Sequence, residues 1–492
     1  MKKTQIMALL LAVLMTSASC GGGAVKQPDA TSNDSDSTTS SPETEKPAPN
    51  LEAIDCGGAA FRVLTRKTDG YVRQSDDISA EEINGNTLND NTYERNRIIE
   101  DKYNLKFEIK NDVGDITSMI RTTVSAGDDS YDLIINGISD NISLSAEGML
   151  LKLDDLPDVD FDMPWWNKTI MDDMSVYDKH YVGINDMSVN AYFAAGIVYF
   201  NKSLAEDYKL ENPYDLVREG KWTFDKMVEL CRDVSKDLDG NGVFDEKDQY
   251  GITYNNFAWQ LMYYGIGEPF IKKNNDGSLF FDSSNTKIID YLQKMLPSAQ
   301  DETVTLYSEN YSRLGGNYRI DVCTKAFNEG RSMFWLEAMY GVPSLRDMGN
   351  DFGILPIPKY DENQENYSAF IHTIHGSSLV VPITLPKDRM TLVGRVMEDM
   401  AYYSSELVRP AFIDTTLKGK YARDNDSADM IDIVISNIRT DYALLLNSYG
   451  LSIDKDMRSA LDSGSTNVAS LFAEKKDSWD AILKDYCEKF KN

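Results

Sequence analysis

The sequence has 492 residues, enough for two or three lobes of ordinary size, and 42% of them are hydrophobic, so a sizeable core can be buried. The formal net charge is −29 and no basic patch dominates, which argues against nucleic-acid binding. The sequence contains no Walker loop, no G-x-S-x-G elbow and no G-x-G-x-x-G motif, so no familiar catalytic motif points to an enzyme.

The N-terminal segment, residues 1–20, has the pattern of a targeting signal. Two lysines precede an apolar run, IMALLLAVLM, that is too short to span a membrane. Small residues then lead to Cys20 in an arrangement similar to a bacterial lipoprotein signal, although Ser17 stands where Leu is usual. We therefore expect a lipid on Cys20, with a plain secretory signal as the alternative. Residues 21–52, rich in Ser, Thr, Asp and Pro, are expected to form a disordered tether.

Strands and helices alternate over the first part of the folded chain. The predicted elements are a strand at 61–65, a helix at 87–103 stopped by Asn104, a strand at 105–109, a helix at 118–127, a buried strand at 131–137 and a short helix ending at Leu150. This alternation predicts an α/β fold.

The rest of the chain continues the pattern and then becomes mainly helical. The predicted elements are a strand at 196–200, a helix beginning at 203, a helix capped by Thr223, a strand at 249–256, a helix and hairpin within 258–282, a helix at 286–296, strands at 352–358 and 375–382, and helices from about 388 onward. Cys56, Cys231, Cys323 and Cys487 fit no zinc spacing, and any disulfide pairing stays open. Cys231 lies on the apolar helix face and is expected to be a small buried hydrophobe.

The sharpest motif is an acidic loop between the helix capped by Thr223 and the next strand. Its residues match a calcium loop, with Asp237, Asp239, Asn241, Gly242 and Asp248 at positions 1, 3, 5, 6 and 12, the Val243 carbonyl at position 7 and Asp245 at position 9. Position 12 is Asp rather than Glu, and no second helix follows. We therefore expect an isolated loop that binds Ca²⁺ for structural reasons, with a solvated acidic turn as the alternative.

Several segments occur in a characteristic order, namely the lipoprotein-like start, YDLIING, GIVYFNKSLAEDY, AFNEGRSMFW and DFGILPIPKYDENQENY. This order resembles the extracellular solute-binding lipoproteins of ABC importers, in the broad group that includes sugar binders, over about residues 55–440. The resemblance implies a two-lobed α/β fold of the periplasmic-binding-protein type II, with a hinge and a cleft that traps the solute. It implies the following domains: lobe I at 53–190, lobe II at 191–371, a return to lobe I at 372–412 and a helical C-terminal region at 413–492 that packs on lobe II.

The placement of aromatic and polar residues in this family pattern suggests a cleft lining. Sugars present apolar C–H faces and a rim of hydroxyls, which suit aromatic stacking together with Asp, Asn and Glu hydrogen bonds. The predicted ligand-binding residues are Trp166, Asp186, Tyr192, Asn256, Trp259, Trp335, Glu337 and Tyr340. Core packing is the alternative for the aromatic members. His372 and His375 would need helical spacing to bind a metal together, and their segment is predicted as loop or strand.

The resemblance implies a membrane-tethered receptor that binds a carbohydrate, expected to be an oligosaccharide, and delivers it to an ABC permease. The permease and ATPase would be separate proteins, and the receptor would be a non-enzymatic monomer on the outer face of a bacterial cytoplasmic membrane. A peptide solute stays open. The rival functions are a surface glycoside hydrolase with a carboxylate pair, and a calcium-dependent adhesion or scaffold protein, since the acidic loop also resembles one loop of a dockerin module.

Overall fold

Two β-sheets of mixed strand direction give the described chain its framework. The computed structural model describes residues 47–69 and 72–491, without the side chains of residues 420 and 421. Its strands are β1 (Ala59–Arg66), β2 (Leu105–Val113), β3 (Leu133–Gly137), β4 (Gly196–Asn201), β5 (Tyr250–Tyr254), β6 (Ile271–Lys273), β7 (Leu279–Phe281), β8 (Thr305–Tyr307), β9 (Ser332–Ala338), β10 (Phe352–Leu355), β11 (Ala369–Phe370), β12 (Ser377–Val380) and β13 (Ile438–Arg439). The predicted lipid anchor at Cys20 and the tether up to residue 46 lie outside the described residues.

Sixteen α-helices are assigned within these described ranges. They are α1 (Thr87–Tyr103), α2 (Ile116–Ser125), α3 (Ile138–Ala146), α4 (Lys168–Met174), α5 (Val189–Phe193), α6 (Lys202–Asp207), α7 (Pro213–Arg218), α8 (Phe224–Val234), α9 (Trp259–Tyr263), α10 (Thr286–Ala299), α11 (Tyr318–Asn328), α12 (Met390–Tyr403), α13 (Asn425–Ser436), α14 (Tyr442–Leu445), α15 (Ile453–Asp462) and α16 (Val468–Glu488). In the part of the chain that the structure describes, no helix combines the length and the apolar character that a membrane span requires.

The first sheet, with its flanking helices, is called lobe I below. Its strand order is β12-β3-β1-β2, with β1 parallel to β2 and β3, and β12 antiparallel to β3. Side chains alternate between the two faces of a strand. Val63 therefore joins the core that α1 and α12 cover, through Ile99 and Met397, whereas its neighbour Leu64 joins the core on the side of α2 and α3.

The second sheet, with its helices, is called lobe II. Its strand order is β10-β4-β9-β5-β8, with β4 antiparallel to both its neighbours and β5 parallel to both of its own. Helix α8 packs so closely on β5 that a Cβ added at Gly251 would lie 2.3 Å from the Cβ of Cys231. Cys231 is 1% exposed, which confirms the expectation of a buried hydrophobe. The cysteines of the described residues are all free, and three of them are buried.

Two short segments of chain pass between the lobes side by side. The first leads from α5 to β4, and the second leads from β11 to β12. Ala195 and Ile371 form a bridge between them, and the N–H of His372 donates to the carbonyl of Ala194 at 2.8 Å. Paired backbone at two crossings that lie side by side is an arrangement expected of a hinge.

The C-terminal region returns to lobe II after α12. α13 packs on β10, where the hydroxyl of Ser427 accepts a hydrogen bond from the N–H of Ile354 at 3.2 Å. α16 packs on β7, with the ring of Trp479 edge-on to Phe281 at 4.9 Å. A contact with lobe I is also present, because the guanidinium of Arg439 donates two hydrogen bonds of 2.7 Å to Asp173 on α4.

Most predicted elements are present, with corrected ends where the backbone turns. The helix predicted at 87–103 is confirmed as α1, and Asn104 ends it in the left-handed region at φ 46°. The helix predicted to end at Leu150 ends at Ala146 instead, because Gly148 adopts φ 71° and Leu150 pairs with Pro382. The helix predicted from 258 is the short α9, since Gly267 terminates the following turn at φ 74°.

Candidate functional site

The carboxyl ends of β5, β8 and β9 meet at one edge of lobe II, the edge at which open α/β sheets bind ligands. Glu337, next to the end of β9, accepts hydrogen bonds from the N–H of Ala338 at 2.9 Å and from the side-chain amide of Asn255 at 3.4 Å. The hydroxyl of Tyr340 also donates to the Glu337 carboxyl group. Two predicted ligand residues, Glu337 and Tyr340, are thus brought together, with Asn255 as a partner that the sequence did not reveal.

Burial gives the Glu337 carboxyl group an unusual proton affinity. The residue is 6% exposed, and its removal from water raises the pKa of the carboxyl group to about 7. The hydrogen bonds from Ala338, Tyr340 and Asn255 act in the opposite direction and lower this pKa. Near neutral pH the group is therefore present in both forms, so it can either donate or accept a hydrogen bond. That behaviour suits a ligand hydroxyl, which can also do both.

Asn256 and Phe257 continue this edge from the end of β5. The side-chain carbonyl of Asn256 is buried and has no hydrogen-bond partner among the described residues. Phe257 is 40% exposed, and its backbone N–H is held by the side-chain carbonyl of Asn255 at 2.9 Å. A buried acceptor without a partner beside an exposed ring is an arrangement that a bound solute would complete. Phe257 was missed because the sequence favoured the larger Trp259, two residues further on.

A second pair of predicted residues meets at the first crossing between the lobes. The hydroxyl of Tyr192 donates to Asp186 at 3.2 Å, and Nε of Arg409 lies 3.2 Å from the same carboxylate oxygen. Burial raises the pKa of Asp186 to about 6, and Arg409 and Tyr192 oppose the rise. Arg409 lies between two π-helical segments, Ser404–Val408 and Ala411–Tyr421, and irregular helix of this kind is frequent at functional sites. No sequence pattern pointed to Arg409, since its partner is over two hundred residues away.

The two histidines of the second crossing stack on each other. Their ring centroids are 4.2 Å apart with planes at 14°, and the ring of Tyr340 meets His375 edge-on at 4.9 Å. Burial lowers the pKa of His372 to about 4 and that of His375 to about 3, with the neighbouring His372 adding to the second shift. Parallel stacked rings do not converge on a common point, so the geometry is one of packing beside Tyr340 and not of shared metal ligation.

The three predicted tryptophans are enclosed by protein. Trp166 is 4% exposed and donates its indole N–H to Glu398 at 2.9 Å in the core of lobe I. Trp259 stacks on Tyr254 at 5.4 Å, and Trp335 stacks on Tyr199 at 5.0 Å. Their ring faces are therefore in contact with other side chains, as the core-packing alternative describes. Their role as ligand contacts stays a prediction.

The acidic loop has a geometry compatible with a cation. Oxygens of Asp237, Asp239 and Asp248 all lie within 4.8 Å of one another. The carboxylate of Asp237 accepts 2.7 Å hydrogen bonds from the N–H groups of Gly240 and Gly242, and these bonds lower its pKa. Ca²⁺ prefers oxygens at about 2.3–2.6 Å, a distance that carboxylates with this spacing can reach together. The ends of the loop are fixed, because residues 236 and 249 are paired as a β-bridge.

Comparison with solved structures shows which proteins share this fold. No family model and no curated protein matches the sequence. Among solved structures, an ABC substrate-binding protein of Listeria monocytogenes in complex with cycloalternan matches with a TM-score of 0.56 at 12% identity, over 87% of this chain and 99% of that one. A lacto-N-biose-binding ABC transporter protein of Bifidobacterium longum matches with a TM-score of 0.56 at 13% identity, over 88% and 99%. A sugar transporter protein of Rhizobium etli in an open conformation gives 0.56 at 13% identity, over 87% and 98%. The chain thus has the two-lobed α/β fold of these ABC solute-binding proteins, which confirms the predicted fold class.

Proposed function

We propose that this protein is an extracellular receptor that binds a carbohydrate between its lobes and delivers it to an ABC permease. The observation that carries the proposal is the polar group at the strand ends of lobe II, where Glu337, Tyr340 and Asn255 lie together, with the ring of Tyr340 against His375 of the second crossing. The fold shared with sugar-binding ABC proteins supports a solute of this class. An oligosaccharide is the solute we expect, because an edge formed by several strands offers more than one subsite.

The proposed mechanism is closure of the lobes around the solute. A ligand that contacts both lobes stabilises the closed arrangement by its extra contacts there. Glu337 and Asn256 supply hydrogen bonds from lobe II, and Asp186 and Tyr192 supply polar groups at the crossing. Since transport by such a receptor requires a membrane channel and an energy source, the partners we propose are a separate permease and ATPase. Cys20 would carry the lipid that keeps the receptor at the outer face of the membrane.

We further propose that the acidic loop binds Ca²⁺ as a structural element. The donors would be side-chain oxygens of Asp237, Asp239, Asn241 and Asp248, with the Val243 carbonyl, and Asp245 through water. The loop joins α8 to β5, and β5 leads directly to Asn255 and Asn256. A cation here would therefore stabilise the strand that presents part of the solute site.

Isothermal titration of the purified protein with neutral oligosaccharides and peptides tests the receptor function. We expect one class of oligosaccharide to bind with a single site and to be recovered unchanged by chromatography. Glu337→Gln should weaken that binding by about tenfold, because it replaces the carboxyl group that we expect to hydrogen-bond to the sugar by an amide. Glu108→Gln, an exposed glutamate on β2, is the matched control and should bind as the wild type does.

The same titration separates the rival functions. Conversion of the oligosaccharide to product would show that the protein is a glycoside hydrolase, for which Glu337 and Asp186 are two candidate carboxyl groups, each with a raised pKa. Binding of peptides alone would keep the receptor and change its solute. Absence of binding by every sugar and peptide tested would contradict the proposed function.

A further inference from the structure

An exposed aromatic ring with two arginines close to it extends the strand edge of lobe II. Cζ of Arg319, at the start of α11, lies 5.7 Å from the ring centroid of Phe257, and Cζ of Arg458, on α15, lies 5.4 Å from it. We call Phe257, Arg319 and Arg458 the arginine–phenylalanine patch. The three residues come from separate parts of the chain, and they bring two cationic side chains to one ring in a protein with a formal net charge of −29.

The patch is continuous with the proposed solute site. Asn255 holds Glu337 with its side-chain amide and holds the backbone of Phe257 with its side-chain carbonyl, at 3.4 and 2.9 Å. Phe257 thereby occupies a fixed position three residues beyond the end of β5. The 40% of Phe257 that stays exposed beside the two guanidinium groups supplies an apolar surface against which the C–H groups of a sugar pack.

Carboxylates next to the patch are already engaged by other donors. Glu309 accepts from the hydroxyl of Tyr318 and from Nε of Arg319, each at 2.9 Å. Asp454 is 1% exposed and accepts from the side chains of Gln260 at 3.0 Å and Asn447 at 3.2 Å, in addition to its ion pair with Arg458 at 2.9 Å. These carboxylates orient the two guanidinium groups, and each of them also accepts a hydrogen bond from a neutral donor.

Donor groups remain on both arginines for a further acceptor. Nε is the nitrogen of Arg319 that hydrogen-bonds to Glu309, and the side chain is 41% exposed. Nε of Arg458 is buried and has no hydrogen-bond partner among the described residues. A guanidinium fork matches a planar carboxylate in shape and charge, and bonds between charged groups are stronger than those to neutral hydroxyls.

From this geometry we propose that the solute is an acidic carbohydrate, whose ring packs on Phe257 and whose carboxylate is bound by Arg319 and Arg458. This inference rests on the proposed receptor function and names its substrate class. A neutral sugar could use the ring and Glu337, but it would leave the two guanidinium groups without an acidic partner from the ligand. Specificity for a uronic acid over the matching neutral sugar would therefore come from the patch.

Calorimetric titration of the purified full chain with trigalacturonate and with the neutral galactotriose tests the proposal. We expect trigalacturonate to bind at least about tenfold more tightly at moderate salt, which corresponds to one charge-assisted contact. Arg319→Gln and Arg458→Gln should each reduce that preference, and the double variant should abolish it while retaining the affinity for galactotriose. Phe257→Ala should weaken the binding of both sugars to the same extent.

Arg313→Gln is the matched control, because this arginine also lies over an aromatic ring, Tyr311 at 5.1 Å, and pairs with a glutamate, yet it is not part of the patch. The Arg313→Gln variant should keep the preference for trigalacturonate.

If Arg458→Gln fails to fold, Arg319→Gln, which affects an exposed side chain, decides alone. Equal affinity for the two sugars, or an unchanged preference in the variants, would overturn the acidic-sugar assignment and leave the receptor function standing. Tighter binding of a sulfated galactose oligosaccharide than of trigalacturonate would overturn the carboxylate assignment. Absence of binding by all of these sugars would overturn the acidic-sugar assignment, and the titration with the wider set of oligosaccharides and peptides would then decide the receptor function.

Discussion

The acidic loop and the strand edge of lobe II hold the same chemical group in opposite environments. Asp237 of the loop accepts hydrogen bonds from the N–H groups of Gly240 and Gly242, and its pKa is lowered. Glu337 at the strand edge is buried, and its pKa is raised to about 7. A carboxylate held by backbone N–H groups is a permanent anion that suits a cation, whereas a desolvated carboxyl group suits a neutral partner with which it can share a proton. Local hydrogen bonding and burial, rather than residue type, thus decide what each site can bind.

The largest effect is expected where the two regions are joined, at Gly251 of β5. A side chain there would collide with Cys231 of α8, so Gly251→Ala should lower the free energy of unfolding by about 3 kcal/mol and weaken the responses to both Ca²⁺ and solute. Urea unfolding measures the change. Gly349→Ala, where an added Cβ meets nothing within 4 Å, is the control and should differ from the wild type by less than about 0.5 kcal/mol. A Gly251→Ala protein of normal stability would show that α8 can move off the strand freely.

The second prediction concerns Glu337, the buried carboxyl group at the strand edge. Its folded-state pKa of about 7 lies above the ordinary value of 4.5, so the folded state holds the proton more tightly than the unfolded state does. The associated stabilisation is complete below about pH 4.5 and is lost as the pH rises to about 7. Compared with Glu337→Gln, the free energy of unfolding of the wild type should fall by on the order of 3 kcal/mol over this pH window. The pKa difference sets this value as an upper limit. Unfolding experiments at pH 5 and pH 8 measure it, and a constant difference between the two proteins would contradict the raised pKa.

The loop should respond to its cation with a somewhat smaller effect. At about 10 mM Ca²⁺ an extracellular type of site is nearly saturated, which stabilises the folded state by about 2 kcal/mol. We expect the melting temperature to rise with Ca²⁺ and to return on chelation, and the double variant Asp237→Asn, Asp239→Asn to lose the response. Asp276→Asn, an exposed turn residue outside the loop, should keep it. A melting temperature that Ca²⁺ does not change in the wild type would leave the loop as a solvated acidic turn.

Asp186 is the intermediate case, buried like Glu337 but with a cationic neighbour, and its effect should be the smallest. Arg409→Gln removes the charge that holds down the pKa of Asp186, so this pKa should rise further above 6. The variant should be less stable than the wild type by about 1 kcal/mol above pH 7 and equally stable at pH 5, since solvent screens the 41% exposed arginine. A loss of stability that is the same at both pH values would mean that packing, not charge, is what Arg409 contributes.

Residues that act within one stretch of chain could be predicted from the sequence, and those that meet across the fold could not. The spacing of the acidic loop follows from twelve consecutive positions, and α1 is delimited by Asn86 and Asn104 at its own ends. By contrast, Trp259 and Trp335 are as suitable for stacking as any exposed ring, but the packing of Tyr254 and Tyr199 on them is decided by tertiary structure. The sequence predicted the fold class, and four of the residues it singled out meet as two pairs, Glu337 with Tyr340 and Asp186 with Tyr192, because each pair is close in the chain.

The burial of the free cysteines determines how lobe motion can be observed by fluorescence. Only the thiolate form reacts with maleimide dyes, and burial raises the pKa of Cys323 to about 12 and that of Cys231 further. The pKa values of Cys56 and Cys487 are also raised by their surroundings. With Cys20→Ser, dyes should therefore attach selectively to new cysteines at exposed positions, such as Lys106→Cys on lobe I and Lys325→Cys on lobe II. The three buried thiols can stay in place, the partly exposed Cys56 is replaced by Ser together with Cys20, and energy transfer between the two dyes would then report the separation of the lobes in single molecules.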